Sequence, residues 1–222
     1  MSADFLEMSM MGRFLFPPST IPLMPLQMRS NIQALESLFS FQSLQASADV
    51  NQVRLVGGMG EFEKISIQQL VIDAISITLI VSGDRSALDH VYDALCQFLT
   101  RIDSKNRMED PKRYAMTYQT QSTVRMSFPY ERLLSEKLVD FLKASKETMK
   151  PEGCDSVGLN LSNLSFQVKF NSPNDTYYFM PKVLTIEPRA GSDPKDNLYF
   201  VVTPTDSEEH RRLIEELEKT LN

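Results

Sequence analysis

The sequence predicts an α+β fold, in which an antiparallel-rich, curved sheet carries its helices mainly on one face. Two observations lead to this prediction. Segments with an apolar residue at every second position alternate along the chain with segments that have apolar residues at helical spacing. In addition, one strand-turn-helix pattern occurs twice. The chain has 222 residues, 42% of them apolar, and is therefore long enough to bury a sizeable core.

The repeated pattern is the element around which the chain is organised. From Ile75 to Ser82 apolar and polar residues alternate, Gly83-Asp84 interrupts the alternation, and helical spacing follows up to Leu99. The same pattern returns 122 residues later, without a gap, between Leu198 and Leu221. The matching positions are Ile77 and Tyr199, Leu79 and Val201, Asp84 and Asp206, Val91 and Leu213, and Leu95 and Leu217. We therefore expect a single body, 29–222, with pseudo-repeated subdomains at 29–105 and 113–222.

Residues 1–28 form an apolar arm before this body. The arm contains six of the twelve methionines, and its four prolines favour an extended course from Phe16 to Pro25. Because disordered tails are normally polar, we expect the arm to be buried on a surface. The sequence leaves open whether that surface belongs to its own domain or to a neighbouring chain, where methionines adapt well. The candidate partner-binding residues are Phe5, Met8, Met11, Phe14, Phe16 and Met24.

The remaining elements follow from local patterns. Apolar spacing predicts a helix over 30–45, and alternation predicts strands at 53–56 and 62–68, joined by a glycine turn. Asp73 is interpreted as the end of a strand or a bulge. Beyond a charged linker at 103–112 we expect a strand over 114–128, a helix that begins near Tyr130 and is terminated by Lys150-Pro151-Glu152-Gly153, and further strands. Those strands are predicted at 166–170, 177–180 and 183–187.

Composition excludes several classes of function. A net charge of −6 and a pI near 5.1 argue against a nucleic-acid partner. The two cysteines, Cys96 and Cys154, have neither a metal-binding nor a redox spacing, which is typical of a reducing compartment. The N-terminus does not resemble a signal peptide, and no apolar run is long enough to span a membrane. We expect a cytoplasmic protein without metal or cofactor, because the known catalytic and nucleotide-binding motifs are also missing.

Two hypotheses of function remain. The first is a non-catalytic assembly or adaptor subunit, which binds copies of itself or another protein through the apolar arm and an exposed sheet edge. The second is a small-ligand-binding protein or an enzyme with a cleft of tyrosines and carboxylates between sheet and helices. The tyrosines that this cleft would use are Tyr114, Tyr118, Tyr177 and Tyr178, all of which lie on strand patterns.

Overall fold

The computed structural model of the protein has a mixed α+β fold with a large, open antiparallel sheet, as the sequence predicts. The described residues are 3–41, 45–49, 51–56, 60–111, 113, 115–149, 162–168 and 182–221. The strands are β1 (Asp4–Leu15), β2 (Gln45–Asp49), β3 (Gln52–Val56), β4 (Gly60–Phe62), β5 (Ile65–Asp73), β6 (Ser76–Ser82), β7 (Ala115–Arg125), β8 (Leu164–Val168), β9 (Lys182–Pro188) and β10 (Leu198–Thr203). The α-helices are α1 (Leu23–Leu26), α2 (Arg29–Leu38), α3 (Arg85–Ile102), α4 (Glu136–Met149) and α5 (Ser207–Leu221). None of the described helices is both long and apolar enough to cross a membrane.

The chain divides into two compact units. The N-terminal unit comprises Met8–Gln121 and Pro204–His210. The C-terminal unit comprises Met1–Glu7, Ser122–Thr203 and Arg211–Asn222. Each unit has its own cluster of buried apolar side chains.

In the N-terminal unit the strand order is β2-β3-β5-β6-β1, and β4 pairs with β5 outside this path. The part of the arm that forms β1 pairs antiparallel with β6, with Met11 opposite Ile80 and Leu15 opposite Ser76. Gly12 is required in β1 because a Cβ atom there would lie 2.7 Å from Cδ2 of Leu88 on α3. The missing side chain lets α3 pack directly against this strand.

Helices cover the core face of the N-terminal sheet. From α3, Leu88, Val91 and Leu95 are fully buried against strand residues such as Leu79. The ring of Phe14 on β1 stacks on that of Tyr92 at 3.9 Å between centroids. The segment with α1 and α2 adds three further fully buried side chains, Leu26, Leu35 and Phe39. This core is therefore closed by two helical segments.

In the C-terminal unit the strand order is β7-β10-β9-β8. Tyr199 of β10 is buried, and its hydroxyl donates a hydrogen bond to the carbonyl oxygen of Phe128 at 2.9 Å. The buried apolar residues of this unit are Val124, Met126, Phe128, Ile186, Tyr199, Val201 and Ile214. Ile214 and its neighbours on α5 pack over β9 and β10.

The two copies of the repeated pattern begin their helices in the same way. The side chain of Asp84 accepts a hydrogen bond from the amide of Ala87 at 3.1 Å, and Asp206 accepts one from Glu209 at 3.1 Å. Both carboxylates accept a hydrogen bond from an amide of the first helical turn, as N-cap side chains do. The amide of Arg85 also donates to Oγ of Ser207 at 3.0 Å. These two residues occupy equivalent positions of the repeat.

The helix predicted over 30–45 is wrong in extent. The described helix α2 ends at Leu38, and Ser40 takes a left-handed φ of 47°. The next described element is the strand β2, which the apolar spacing of the sequence does not predict. Likewise α1 replaces part of the expected extended course of the arm. Pro25 fits this helix because its first turn needs no amide hydrogen from that residue.

The strand predicted over 62–68 is interrupted by a tight turn. Glu63 and Lys64 both have positive φ, 47° and 72°, and join β4 to β5 in a two-residue hairpin. Two-residue hairpin turns are recognised in a sequence by Gly, Asn or Asp, and this turn contains none of them. The other uncertain position, Asp73, does end a strand: its Oδ1 accepts hydrogen bonds from the amides of Ile75 at 2.8 Å and Ser76 at 2.6 Å.

Candidate functional site

An apolar groove lies within the C-terminal unit, between α5 and the sheet. Its volume is about 290 Å³. One wall is the row of α5 side chains at helical spacing, which includes Leu213, Leu217 and Leu221, and the floor is the sheet. The full lining is Leu133, Leu164, Phe166, Leu184, Ile186, Val201, Thr203, Leu213, Ile214, Leu217 and Leu221. None of the described residues that line this groove is charged.

Strand pairing explains why these residues share one face. Leu164 of β8 lies opposite Ile186 of β9, and Phe166 lies opposite Leu184. Directly opposed residues point to the same side of an antiparallel pair, so all four side chains reach the groove. On the other face Ser165 lies opposite Thr185, with their hydroxyl oxygens 3.1 Å apart.

The described residues leave the groove open at β8. This strand is at the end of the strand order in the C-terminal unit, and among the described strands it pairs with β9 alone. Phe166, in the middle of β8, is 53% exposed although it lines the groove. An edge strand presents unpaired amide and carbonyl groups, and natural edges are usually protected by charges, proline or a bulge. The sequence of β8, LSFQV, contains neither a charged residue nor proline.

The helix α4 also exposes apolar side chains. The sequence predicts one continuous helix from about Tyr130, with an apolar stripe that extends to Leu142. In the structure a short 3-10 turn at Tyr130–Leu133 is followed by a break, and α4 begins only at Glu136. On α4 Leu138 is 42% exposed and Phe141 is 61% exposed. An amphipathic pattern predicts a helix with an apolar face, but it does not predict what covers that face.

Buried polar groups near the groove serve the structure. Glu218 of α5 is buried, and its Oε1 accepts a hydrogen bond from the amide of Ser127 at 2.9 Å. Burial, with a smaller contribution from the nearby charge of Glu131, raises the pKa of Tyr199. Tyr199 therefore stays protonated and keeps donating to Phe128.

The structure places most of the candidate arm residues inside the protein. Phe14 and Phe16 are buried in the core of the N-terminal unit, and Met8 and Met11 of β1 are partly buried. Phe5 is partly buried in the C-terminal unit, where the guanidinium of Arg211 lies 4.9 Å from its ring centroid. Met24 differs, because it is 82% exposed. The phenylalanines of the arm are thus at least partly buried, whereas Leu6, Met24 and Met28 remain exposed.

Of the four candidate tyrosines, only Tyr118 is among the described residues; Tyr114, Tyr177 and Tyr178 lie outside them. The guanidinium of Arg85 packs on the Tyr118 ring at 4.9 Å, and burial raises the pKa of its phenol. Tyr118 does not line either of the cavities described in this subsection.

A second, polar groove of about 580 Å³ lies on the N-terminal unit, along α3. Burial raises the pKa of the Cys96 thiol in its wall to about 11, so this cysteine is protonated at neutral pH and a weak nucleophile. Its lining residues are Asp93, Cys96, Gln97, Thr100, Arg101, Met108 and Glu109. The described residues contain no cluster of three metal-ligating side chains. The Nε2 atom of the His90 imidazole lies 2.7 Å from Oε2 of Glu63.

Comparison with known proteins leaves the function to be argued from these surfaces. No protein-family model matches the chain, and no curated protein sequence matches it.

The residues of the apolar groove were not found by sequence reasoning, although part of the signal is present. The alternation of Leu164, Phe166 and Val168 with polar residues is visible in the sequence. It indicates a strand with one apolar face. That this strand is an edge depends on the strand order, which is set by contacts distant in sequence.

Proposed function

We propose that this protein is a non-catalytic assembly or adaptor subunit, and that its C-terminal unit binds an extended segment of a protein. The segment adds to the edge of β8 and places alternate side chains in the apolar groove. The observation that carries this proposal is an uncharged strand that pairs on one side only among the described strands, directly beside a groove of about 290 Å³ in whose lining no described residue is charged. Strand addition to an exposed edge combines backbone hydrogen bonds with side-chain pockets in this way.

The edge and the groove specify the chemistry of the partner. The backbone groups of β8 that pair with no described strand can be satisfied by another extended backbone, since a strand presents donors and acceptors at that spacing. The lining side chains of Leu164, Phe166 and Leu184 favour aliphatic or aromatic side chains over charged ones. Because side chains alternate along a strand, the partner needs apolar residues at every second position.

A free small molecule is a less suitable occupant. The volume of about 290 Å³ is at the lower end of the range for small-molecule pockets, and such pockets use a few polar groups to orient the ligand. Here Thr203 is the one polar residue of the lining. The groove thus offers little that would orient a ligand but suits the side chains of a strand whose backbone is held at β8.

The proposal is tested by photo-crosslinking in an extract of the native cell. A benzophenone amino acid replaces Phe166 in one variant, Val183 in a second and Met24 in a third. Val183 is 44% exposed on β9 but belongs to the opposite face, since it pairs with Gln167. Met24 represents the exposed part of the arm.

We expect crosslinks from position 166, with the attached peptide mapped by mass spectrometry to a segment with alternating apolar residues. Weak or no crosslinking is expected from position 183. Crosslinks from position 24 with none from 166 would move the binding surface to the arm. No crosslink to any protein segment from position 166 would overturn the proposal.

A further inference from the structure

We infer that the segment that pairs with β8 is β8 of a second copy of this chain, aligned antiparallel about Phe166. This inference rests on the proposed function and specifies the partner. Its basis is the sequence of the strand, in which Leu164, Phe166 and Val168 alternate with Ser165 and Gln167. The pattern of apolar and polar residues reads the same in both directions.

Antiparallel pairing about Phe166 places apolar residues opposite apolar residues and polar residues opposite polar residues. Phe166 lies opposite Phe166 of the second copy, Leu164 opposite Val168, and Ser165 opposite Gln167. Apolar side chains then meet on the groove face and polar side chains meet on the other face. A register shift of one residue would place Phe166 opposite Gln167. A shift of two residues would again match apolar with apolar, but it would pair only three residues of β8, whereas alignment about Phe166 pairs all five.

The charges and exposures of the strand also favour self-pairing. Two identical strands that carried a lysine or glutamate would bring like charges close together, and β8 has no charged residue. The exposed half of the Phe166 ring supplies apolar surface to its counterpart, and cross-strand aromatic pairs stabilise antiparallel sheets. The twofold symmetry closes the assembly at a dimer, because each copy has used its β8 edge.

Analytical ultracentrifugation of the full chain over a range of concentrations tests this inference. We expect a monomer–dimer equilibrium and, in Phe166→Lys, a dissociation constant raised about tenfold or more, because two lysines would then oppose each other. The control Val183→Lys introduces the same charge at a similarly exposed residue of β9 and should leave the equilibrium unchanged.

Disulfide trapping identifies the register without relying on the lysine variant. In the full chain with Cys96 and Cys154 replaced by serine, Phe166→Cys should form a covalent dimer under mild oxidation. Opposed residues of an antiparallel pair have Cα atoms about 4.5–5.5 Å apart, a spacing that a disulfide can bridge. Val183→Cys should not form this dimer.

A chain that stays monomeric at all concentrations, with no preference for trapping at position 166, would overturn the inference. The two proposals are separated by the crosslinking result. If position 166 crosslinks to a segment of another protein while the isolated chain is monomeric, the proposed function stands and the second copy is excluded as the partner. If position 166 gives neither a crosslink to a protein segment nor a disulfide-linked dimer, both proposals fail.

Discussion

The two units differ in how completely helices cover the sheet beside the repeated strand-turn-helix pattern. In each copy of the pattern, a strand leads through an Asp-capped turn into a helix that packs on the sheet; the second cap lies in Pro204–His210, and α5 belongs to the C-terminal unit from Arg211 onwards. In the N-terminal unit a second helical segment, α1 and α2, adds the buried side chains of Leu26 and Leu35 to the core. In the C-terminal unit α5 leaves an apolar groove beside β8, and α4 exposes its apolar residues. The repeated pattern therefore determines the local strand-turn-helix structure. Whether an apolar surface stays accessible to a partner depends on the other helices that pack on the sheet.

The largest expected effect is the difference in unfolding free energy between two leucine substitutions, one in each unit. Leu35→Ala on α2 should lower the free energy of unfolding by about 3 kcal/mol, because it leaves a cavity at a fully buried position. Leu138→Ala on α4 removes the same atoms from a residue that is 42% exposed and should change it by less than about 0.5 kcal/mol. Urea unfolding measures both. Similar losses in the two variants would show that α4 is packed as tightly as α2.

A second prediction concerns pH and the loop that follows α3. Hydrogen bonds from Arg107, including one from its amide at 2.8 Å and one from Nη2 at 3.0 Å, lower the pKa of the buried Asp103 carboxyl to about 2. Because this pKa is lower in the folded state than in the unfolded state, the carboxylate stabilises the fold above about pH 4. The contribution is about 2 kcal/mol and is lost as the pH falls towards 2.

Asp103→Asn is the matching variant. Its deficit in unfolding free energy relative to the wild type should be largest near neutral pH and should shrink below pH 4. Denaturation curves at several pH values give this difference directly. A deficit that stays constant from pH 7 to pH 2 would contradict the assignment of the ion pair.

Gly60 tests how closely the N-terminal unit is packed. A Cβ atom at this position would lie 2.7 Å from the backbone oxygen of Phe39 and 2.9 Å from the ring of Phe41. The backbone cannot move as easily as a side chain, so we expect Gly60→Ala to cost about 1–2 kcal/mol. Thermal unfolding is sufficient to detect this loss. An unchanged or raised melting temperature would mean that the contact between Phe39 and β4 is loose.

The smallest effect tests the equivalence of the two helix starts. Asp84→Ala and Asp206→Ala each remove a side chain that accepts a hydrogen bond from an amide of the first turn, and each should cost about 1 kcal/mol. Asp206 also pairs with Arg85 at 3.0 Å, but both side chains are partly exposed and the pair adds only a few tenths of a kcal/mol. A cost confined to one of the two variants would break the structural analogy between the repeats.

How much the sequence predicts depends on the range of the interactions. The strand-turn-helix pattern and the Asp caps are local, and the fold class follows from them. The turn at Glu63–Lys64 was missed because its positive φ angles occur in residues that rarely adopt them. The alternation of Met10, Gly12, Phe14 and Phe16 could have identified β1 within the arm, but the proline-rich segment that follows suggested a separate arm.

The candidate site could not be predicted in the same way. Its residues come from three strands, α5 and the 3-10 turn, and they meet only through the order of the strands. The stripe of α4 was expected to be buried because its spacing is helical. The spacing alone does not show that no described element covers Phe141.

Amide hydrogen exchange of the full chain tests the central claim, an open edge at β8, most directly. In dilute solution the amides of Leu164–Val168 should exchange fastest among the described strands of the C-terminal unit, because β9 is the one described strand that pairs with β8. Their protection should rise when the partner strand is present, which the inferred dimer achieves through higher protein concentration. If the β8 amides are already as protected in dilute solution as those of β9, the edge is not open and the account is contradicted.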